Sequence, residues 1–165
     1  MKKYKVEKVW PHNGNVCVVI MARHGHRCGY VGIKPTHPLY GHDYSEHSEY
    51  LADLREALTH GTIGKRGIIP LVCWNGKKMS PEILFDVHGG ITYSGDGKGE
   101  YPIKMKDVWW FGYDCAHAGD AKDKRYMSQF MLDLERKYPT GGVLRSLKYC
   151  ISECESLSNQ LEDLK

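Results

Sequence analysis

The sequence predicts an α+β fold in a single domain: a mainly antiparallel β-sheet packed by a long C-terminal helix, with a helix and strand inserted at 45–79. Three observations predict it. Short runs rich in Val, Ile and Tyr follow one another before residue 34, separated by the turn chemistry of Pro11-His12-Asn13-Gly14 and Arg23-His24-Gly25. Near the other end, Leu144, Leu147, Ile151, Cys154, Leu157, Leu161 and Leu164 fall at three- and four-residue intervals, the stripe of a helix lying on a sheet. The chain has 165 residues, 41% hydrophobic and 26% charged, which suits one ordinary globular domain and excludes a disordered or fibrous chain.

Residues 5–10, 15–22 and 27–33 read as three strands joined by two hairpins, a meander. Loop chemistry follows at THPLYGHDY. Ser45, or Ser48 as a second candidate, then caps a helix over 46–60 with Tyr50, Leu51, Leu54 and Leu58 on one side. Residues 66–74 read as a strand that Pro70 confines to an edge or a bend. Two short apolar pieces, 84–87 and 91–93, flank His88-Gly89-Gly90, where a bulge or a close approach to the backbone is expected. Residues 108–114 (VWWFGYD) are apolar on both faces and are expected to form the central strand. Helices over 126–138 and 143–164 complete the chain, the first stopped by Pro139 and Gly141-Gly142.

The formal charge is +3, from 23 basic and 20 acidic residues, too mild a field to point to nucleic acid. No apolar run approaches the roughly 20 residues that cross a bilayer, so no membrane partner is expected. The beginning MKKYKVEKVW has no apolar h-region, so the six cysteines are expected as reduced thiols in a cytoplasm.

Polar and aromatic residues gather in three Gly-rich segments. In Arg23-His24-Gly25-His26-Arg27-Cys28-Gly29-Tyr30, Arg offers a planar fork for phosphate and His a proton or a metal ligand; the alternative is a solvated hairpin turn. In His88-Gly89-Gly90-Ile91-Thr92-Tyr93-Ser94, the glycine amides suit an anion or carbonyl, with Thr92 and Ser94 on one face and Tyr93 on the other; the alternative is a structural bulge. In the third, an aromatic strand runs from Trp109 and Trp110 into Asp114, Cys115, His117 and Asp120, a pattern fit for stacking on a base while polar groups hold ribose or phosphate.

Asp114, Cys115, His117, Asp120 and the distant His88 also include the donor types of a zinc or manganese site, without a standard zinc spacing. Cys115 could serve as a nucleophile with His88 or His117 as base, although a thiol after an aromatic strand is more often inert packing. Cys150 and Cys154 belong to the core stripe of the last helix. The loop over 37–44 offers Tyr40 and Tyr44 as a lid over a planar ligand, or is an ordinary surface crossing.

Together, GHRCGYVGI at 25–33, HPLYGHDY at 37–44, VHGGITYSG at 87–95 and WWFGYDCAHAGD at 109–120 resemble a family of small bacteriophage- and prophage-encoded proteins. The family's pattern passes faster from HPLYG to HGG, so 45–79 looks like an insertion. The resemblance implies a phage accessory protein acting in the host bacterial cytoplasm. By analogy with phage anti-defence proteins, its ligand is expected to be a nucleotide-derived immune signal, such as a cyclic ADP-ribose species or a cyclic dinucleotide.

Three function classes follow. In the first, a binding protein sequesters the nucleotide without a cofactor: Arg27 and the Gly89-Gly90 amides hold phosphate, Trp110 or Tyr93 stacks on the base, Asp114 takes ribose hydroxyls, and Tyr30, His88, Thr92 and His117 complete the site. In the second, a phosphodiesterase or related hydrolase uses His88 and His117 as base and acid, or binds a divalent metal through His88, Asp114, His117 and Asp120. In the third, an interaction protein blocks a host enzyme through the 45–79 insert. A homo-oligomer is compatible with all three.

Overall fold

The computed structural model describes residues 4–52, 78–99, 101–139 and 141–165. Strand β1, Tyr4–His12, turns through Asn13 and Gly14, both at positive φ (45° and 80°), into β2, Asn15–Ala22. Asn-Gly is the pair such a two-residue hairpin requires. Pro11 is tolerated inside β1 because β1 is an edge strand among the described residues. A register shift between Val6 and Lys8 leaves Glu7 as the extra residue of a bulge.

Strand β3, Arg27–Ile33, pairs antiparallel with β2 and with β5, Trp109–Asp114, while β4, Tyr93–Gly95, closes the other edge. Among the described residues the order is β1-β2-β3-β5-β4, a five-stranded antiparallel sheet. The fold is therefore α+β, as expected, but the central strand is β3. The aromatic strand lies one place from the edge, and its apolarity on both faces reflects cover from both sides.

Between β3 and β5 the register sets Gly29 opposite Tyr113 and Tyr30 opposite Gly112. A Cβ at Gly29 would collide with the Tyr113 ring, and one at Gly112 with the Tyr30 ring. Each tyrosine thus lies over the opposing strand's glycine, one on each face of the sheet. On one face Cys17, Val19, Val31, Ile33 and Tyr113 pack with α3, Leu147–Glu162, whose buried positions Cys150, Cys154, Leu157 and Leu161 repeat with helical spacing, and Phe111 packs with Phe85. On the other face Val18, Ile20, Tyr30 and Trp110 are covered by Tyr93, Tyr101 and Ile103.

Several elements differ from expectation for local reasons. Residues 49–52 are helical, so the inserted helix begins after Ser48, the second candidate cap, which pairs with Met79 instead of extending the helix toward 46. The rest of that helix and the strand at 66–74 lie outside the described residues. The piece at 84–87 is not a strand. Pro81 begins one helical turn, α1 at Pro81–Leu84, and Leu84, Phe85 and Val87 are buried without being extended. Of 91–93 only Tyr93 joins the sheet. Helix α2 spans Gln129–Lys137 behind its cap Ser128, with a 3-10 turn at Lys124–Tyr126 before it. Helix α3 starts at Leu147 and not at 143, because Val143 is tied to the loop at Gly119 and Ala121 and Ser146 caps the helix through the Tyr149 amide. Among the described residues no helix is long and apolar enough to cross a membrane.

Candidate functional site

At the C-terminal end of β5 the chain leaves the sheet at Asp114 and turns through Cys115–Asp120. Asp120 is held there by the pairing of Gly119 and Ala121 with Val143, which also brings Arg145 alongside. The Asp120 side chain is 1% exposed. Its Oδ1 accepts from Arg145 Nε at 2.7 Å, and its Oδ2 accepts from the His117 amide at 3.1 Å and lies 2.8 Å from His88 Nε2. Burial opposes ionisation of Asp120, but the hydrogen bonds from Arg145, His88 and the His117 amide outweigh it and hold the carboxyl below its usual range. It is an anion at neutral pH.

His88 is fixed at both ends. Nδ1 lies 3.0 Å from the Tyr149 hydroxyl, and the His88 amide donates to Glu153 Oε2 at 2.8 Å. With Nε2–H donating to Asp120, Nδ1 accepts from Tyr149. Burial, then Glu153, pushes the Tyr149 hydroxyl up to about 12, so it stays protonated and can take either role in that bond.

His117 stands across from His88, ring centroids 5.6 Å apart. Its Nδ1 is out of solvent and has no hydrogen-bond partner, yet it lies 3.9 Å from both Asp114 Oδ1 and Asp120 Oδ2. Asp114 is oriented by Thr92, whose hydroxyl donates to Oδ2 at 2.9 Å, and by the Ala116 amide on Oδ1. Gly89, at φ 69°, sits against the His117 ring. His88, His117 and Asp120 present ligand atoms all within 4.8 Å of one another.

The His117–Asp120 loop lines a cleft of about 400 Å³ together with Lys122, Lys124, Met127, Met131 and Glu135. That volume falls in the range of small-molecule pockets, roughly 300 to 1,000 Å³.

The structure thus brings together His88, Gly89, Thr92, Asp114, His117 and Asp120 from two of the three expected segments. Other expected contacts fall elsewhere. Arg27 holds Glu7 through two nitrogens (2.6 and 3.1 Å) and the Arg145 carbonyl (2.7 Å), so its fork is occupied by protein. Trp110 has no exposed surface, Tyr30 is 4% exposed, and both pack with Tyr93 in the cluster on the face away from α3, leaving no ring face for a base. The Tyr93 hydroxyl donates to the Tyr101 carbonyl. Gly90 N–H closes a turn onto the Val87 carbonyl, so an anion would find at most the Gly89 amide of the expected pair.

Cys115 is 2% exposed with Sγ 3.8 Å from Cys150 Sγ; that contact and burial push its thiol far up, which suits packing and not a nucleophile. Tyr40 and Tyr44 pack against the core, and the Trp109 indole donates to the His42 carbonyl. The 37–44 loop is thereby anchored at the start of β5, five residues or about 17 Å of extended strand from Asp114. It is not a lid over this site.

Arg145, Tyr149 and Glu153 are site residues that the sequence reading missed. Their spacing of four residues at the entrance of α3, beside the apolar stripe, is the signal that could have found them. Comparison of the chain with protein-family models, curated proteins and solved structures gives no match in any of the three.

Proposed function

We propose that this centre hydrolyses a phosphoester or phosphoanhydride bond of a nucleotide-like substrate seated in the adjoining cleft. The observation that carries this reading is the convergence of His88, His117 and ionised Asp120, the last two of which line a cleft that Lys122 and Lys124 also line. Two imidazoles and a carboxylate around one point can activate a water, and the lysines can neutralise phosphate oxygens. The water oxygen forms the new bond to phosphorus, the bond to the leaving oxygen breaks, and the leaving oxygen takes a proton. The resemblance to phage-encoded proteins supplies the setting, an infected bacterium in which a nucleotide immune signal is the substrate and its loss is an anti-defence activity.

Sequestration without turnover fits the geometry less well, because the phosphate fork of Arg27 and the stacking faces of Trp110 and Tyr30 are occupied by the protein itself. One experiment separates the two. The purified chain is mixed with a panel of cyclic dinucleotides and ADP-ribose derivatives and chromatographed before and after heat denaturation. A nucleotide that returns cleaved supports the hydrolase; one that disappears and returns intact makes the protein a sponge; a panel that stays free throughout sinks both.

A further inference from the structure

We propose that His88 Nε2, His117 Nδ1 and Asp120 Oδ2 bind one divalent first-row transition-metal ion, with zinc the reference case. Ligand atoms each about 2.0 to 2.2 Å from one ion sit roughly 3 to 4 Å from one another. His88 Nε2 and His117 Nδ1 lie 2.8 and 3.9 Å from Asp120 Oδ2, and small ring movements bring the set to that spacing. His117 Nδ1 is buried without a hydrogen-bond partner, a cost that a metal–nitrogen bond removes.

Charge and outer contacts agree. Asp114 and Asp120 set two carboxylates beside the His117 ring, an anionic surrounding that favours a cation there. When Nε2 of His88 turns its lone pair to the ion, the ring proton moves to Nδ1 and donates to the Tyr149 oxygen, reversing the hydrogen bond at 3.0 Å. Arg145 on Oδ1 leaves Oδ2 of Asp120 facing the ion. Two imidazoles exclude calcium and magnesium as the natural occupants and favour zinc, iron(II), cobalt or manganese. Three protein ligands leave positions open for water, the arrangement of a catalytic ion and not of a structural one. The ion's role in turnover rests on the hydrolytic reading above; its binding does not.

The test is calorimetric titration of the chelator-treated full chain with Zn²⁺, alongside Co²⁺ loading read from its visible absorption bands. The expected result is one ion per chain. His117→Gln and Asp120→Asn should lose at least a hundredfold in affinity, and Tyr149→Phe about tenfold by loss of the outer hydrogen bond. His47→Gln, an exposed histidine elsewhere, should bind as the parent does. His117 is the more exposed ligand, so its variant stays informative if Asp120→Asn fails to fold. No ion bound, or ion binding unchanged by His117→Gln, overturns the proposal. Phosphoester cleavage undiminished in the metal-free chain overturns the ion's catalytic role while leaving the hydrolase in place; an ion bound as described with no cleavage of any nucleotide upholds the metal site and removes the hydrolase.

Discussion

Gly89 and His117 are packed so closely that a Cβ on Gly89 would overlap the imidazole ring. Gly89 also sits at φ 69°, where an L side chain costs about 1 to 2 kcal/mol. The glycine of the His88-Gly89-Gly90 turn therefore gives room to the second histidine, which an anion-binding role for its amide would not require. Gly89→Ala should lower the melting temperature by several degrees and abolish the proposed hydrolysis, because the ring must leave its place opposite His88. Circular dichroism and a turnover assay check this, and an alanine variant that folds and retains full turnover would show that His117 is not part of the centre.

Arg27 spans β1, β3 and the approach to α3, gripping Glu7 at the β1 bulge and the Arg145 carbonyl. Both side chains of the pair are largely buried, at 12% and 15% exposure, so removing the guanidinium strands three acceptor oxygens. Arg27→Met should destabilise the fold by about 1 to 3 kcal/mol, read from the urea midpoint. Were Arg27 instead a phosphate ligand, nucleotide affinity would fall tenfold or more with the midpoint unmoved.

The paired glycines of β3 and β5 make a second stability test. Gly112→Ala drives a methyl into the Tyr30 ring and Gly29→Ala one into Tyr113, and neither ring has space to retreat, being 4% and 1% exposed. Overpacking of this kind costs about 1 to 3 kcal/mol. Thermal denaturation of the two variants should show comparable losses, since the positions are equivalent on opposite faces; full stability in both would mean that β3 and β5 do not pair with each tyrosine over the opposing glycine.

What was legible in the sequence was what depends on local pattern. The strands 15–22 and 27–33 were readable because β-branched runs ended at Asn-Gly and His-Gly turns, and the stripe of α3 because helical periodicity survives any packing partner. Leu84–Val87 misled because buried apolar residues look alike in a strand and in a turn pinned by Pro81. The composition of β5 suits a central strand because Tyr101 and Ile103 on one face, and Phe85 over Phe111 with α3 over Tyr113 on the other, bury it just as fully. In the site, His88, His117, Asp114 and Asp120 stood out by residue type. Arg145 and Tyr149 did not, since they approach only through the pairing of Val143 with the Gly119–Ala121 loop, a long-range contact that no local pattern records. Arg27 and Trp110 have the chemistry of ligands, but tertiary neighbours take the hydrogen bonds of one and the surface of the other.

The pH dependence of stability should carry a signature of His37. Its Nε2–H donates to the Leu161 carbonyl at 2.8 Å and its Nδ1 accepts from the Leu39 amide at 3.0 Å, so the folded state holds the neutral ring and ties the 37–44 loop to α3. Burial pushes its pKa down, with Lys165 acting the same way and the Leu161 carbonyl and Glu162 opposing. A ring proton would also displace the Leu39 amide. In the unfolded chain the ring titrates near its ordinary value, about 6.5. Above that pH both states are neutral and the contribution is complete. As pH falls below it the unfolded chain takes up a proton that the folded chain refuses, and stability drops until the folded pKa is passed. Carboxylates held below their ordinary range, such as Asp43 and Asp123, lose their contribution only on approach to about pH 4, which leaves the interval from about 6.5 to about 5 to histidine. Urea midpoints at pH 7.5, 6.5 and 5.5 should therefore decline, and His37→Gln should be less stable at pH 7.5 but decline less steeply. A residual slope is expected from His26, which burial also pushes down. If the variant declines as steeply as the parent, His37 is not held neutral and the tie between the loop and α3 does not depend on its tautomer.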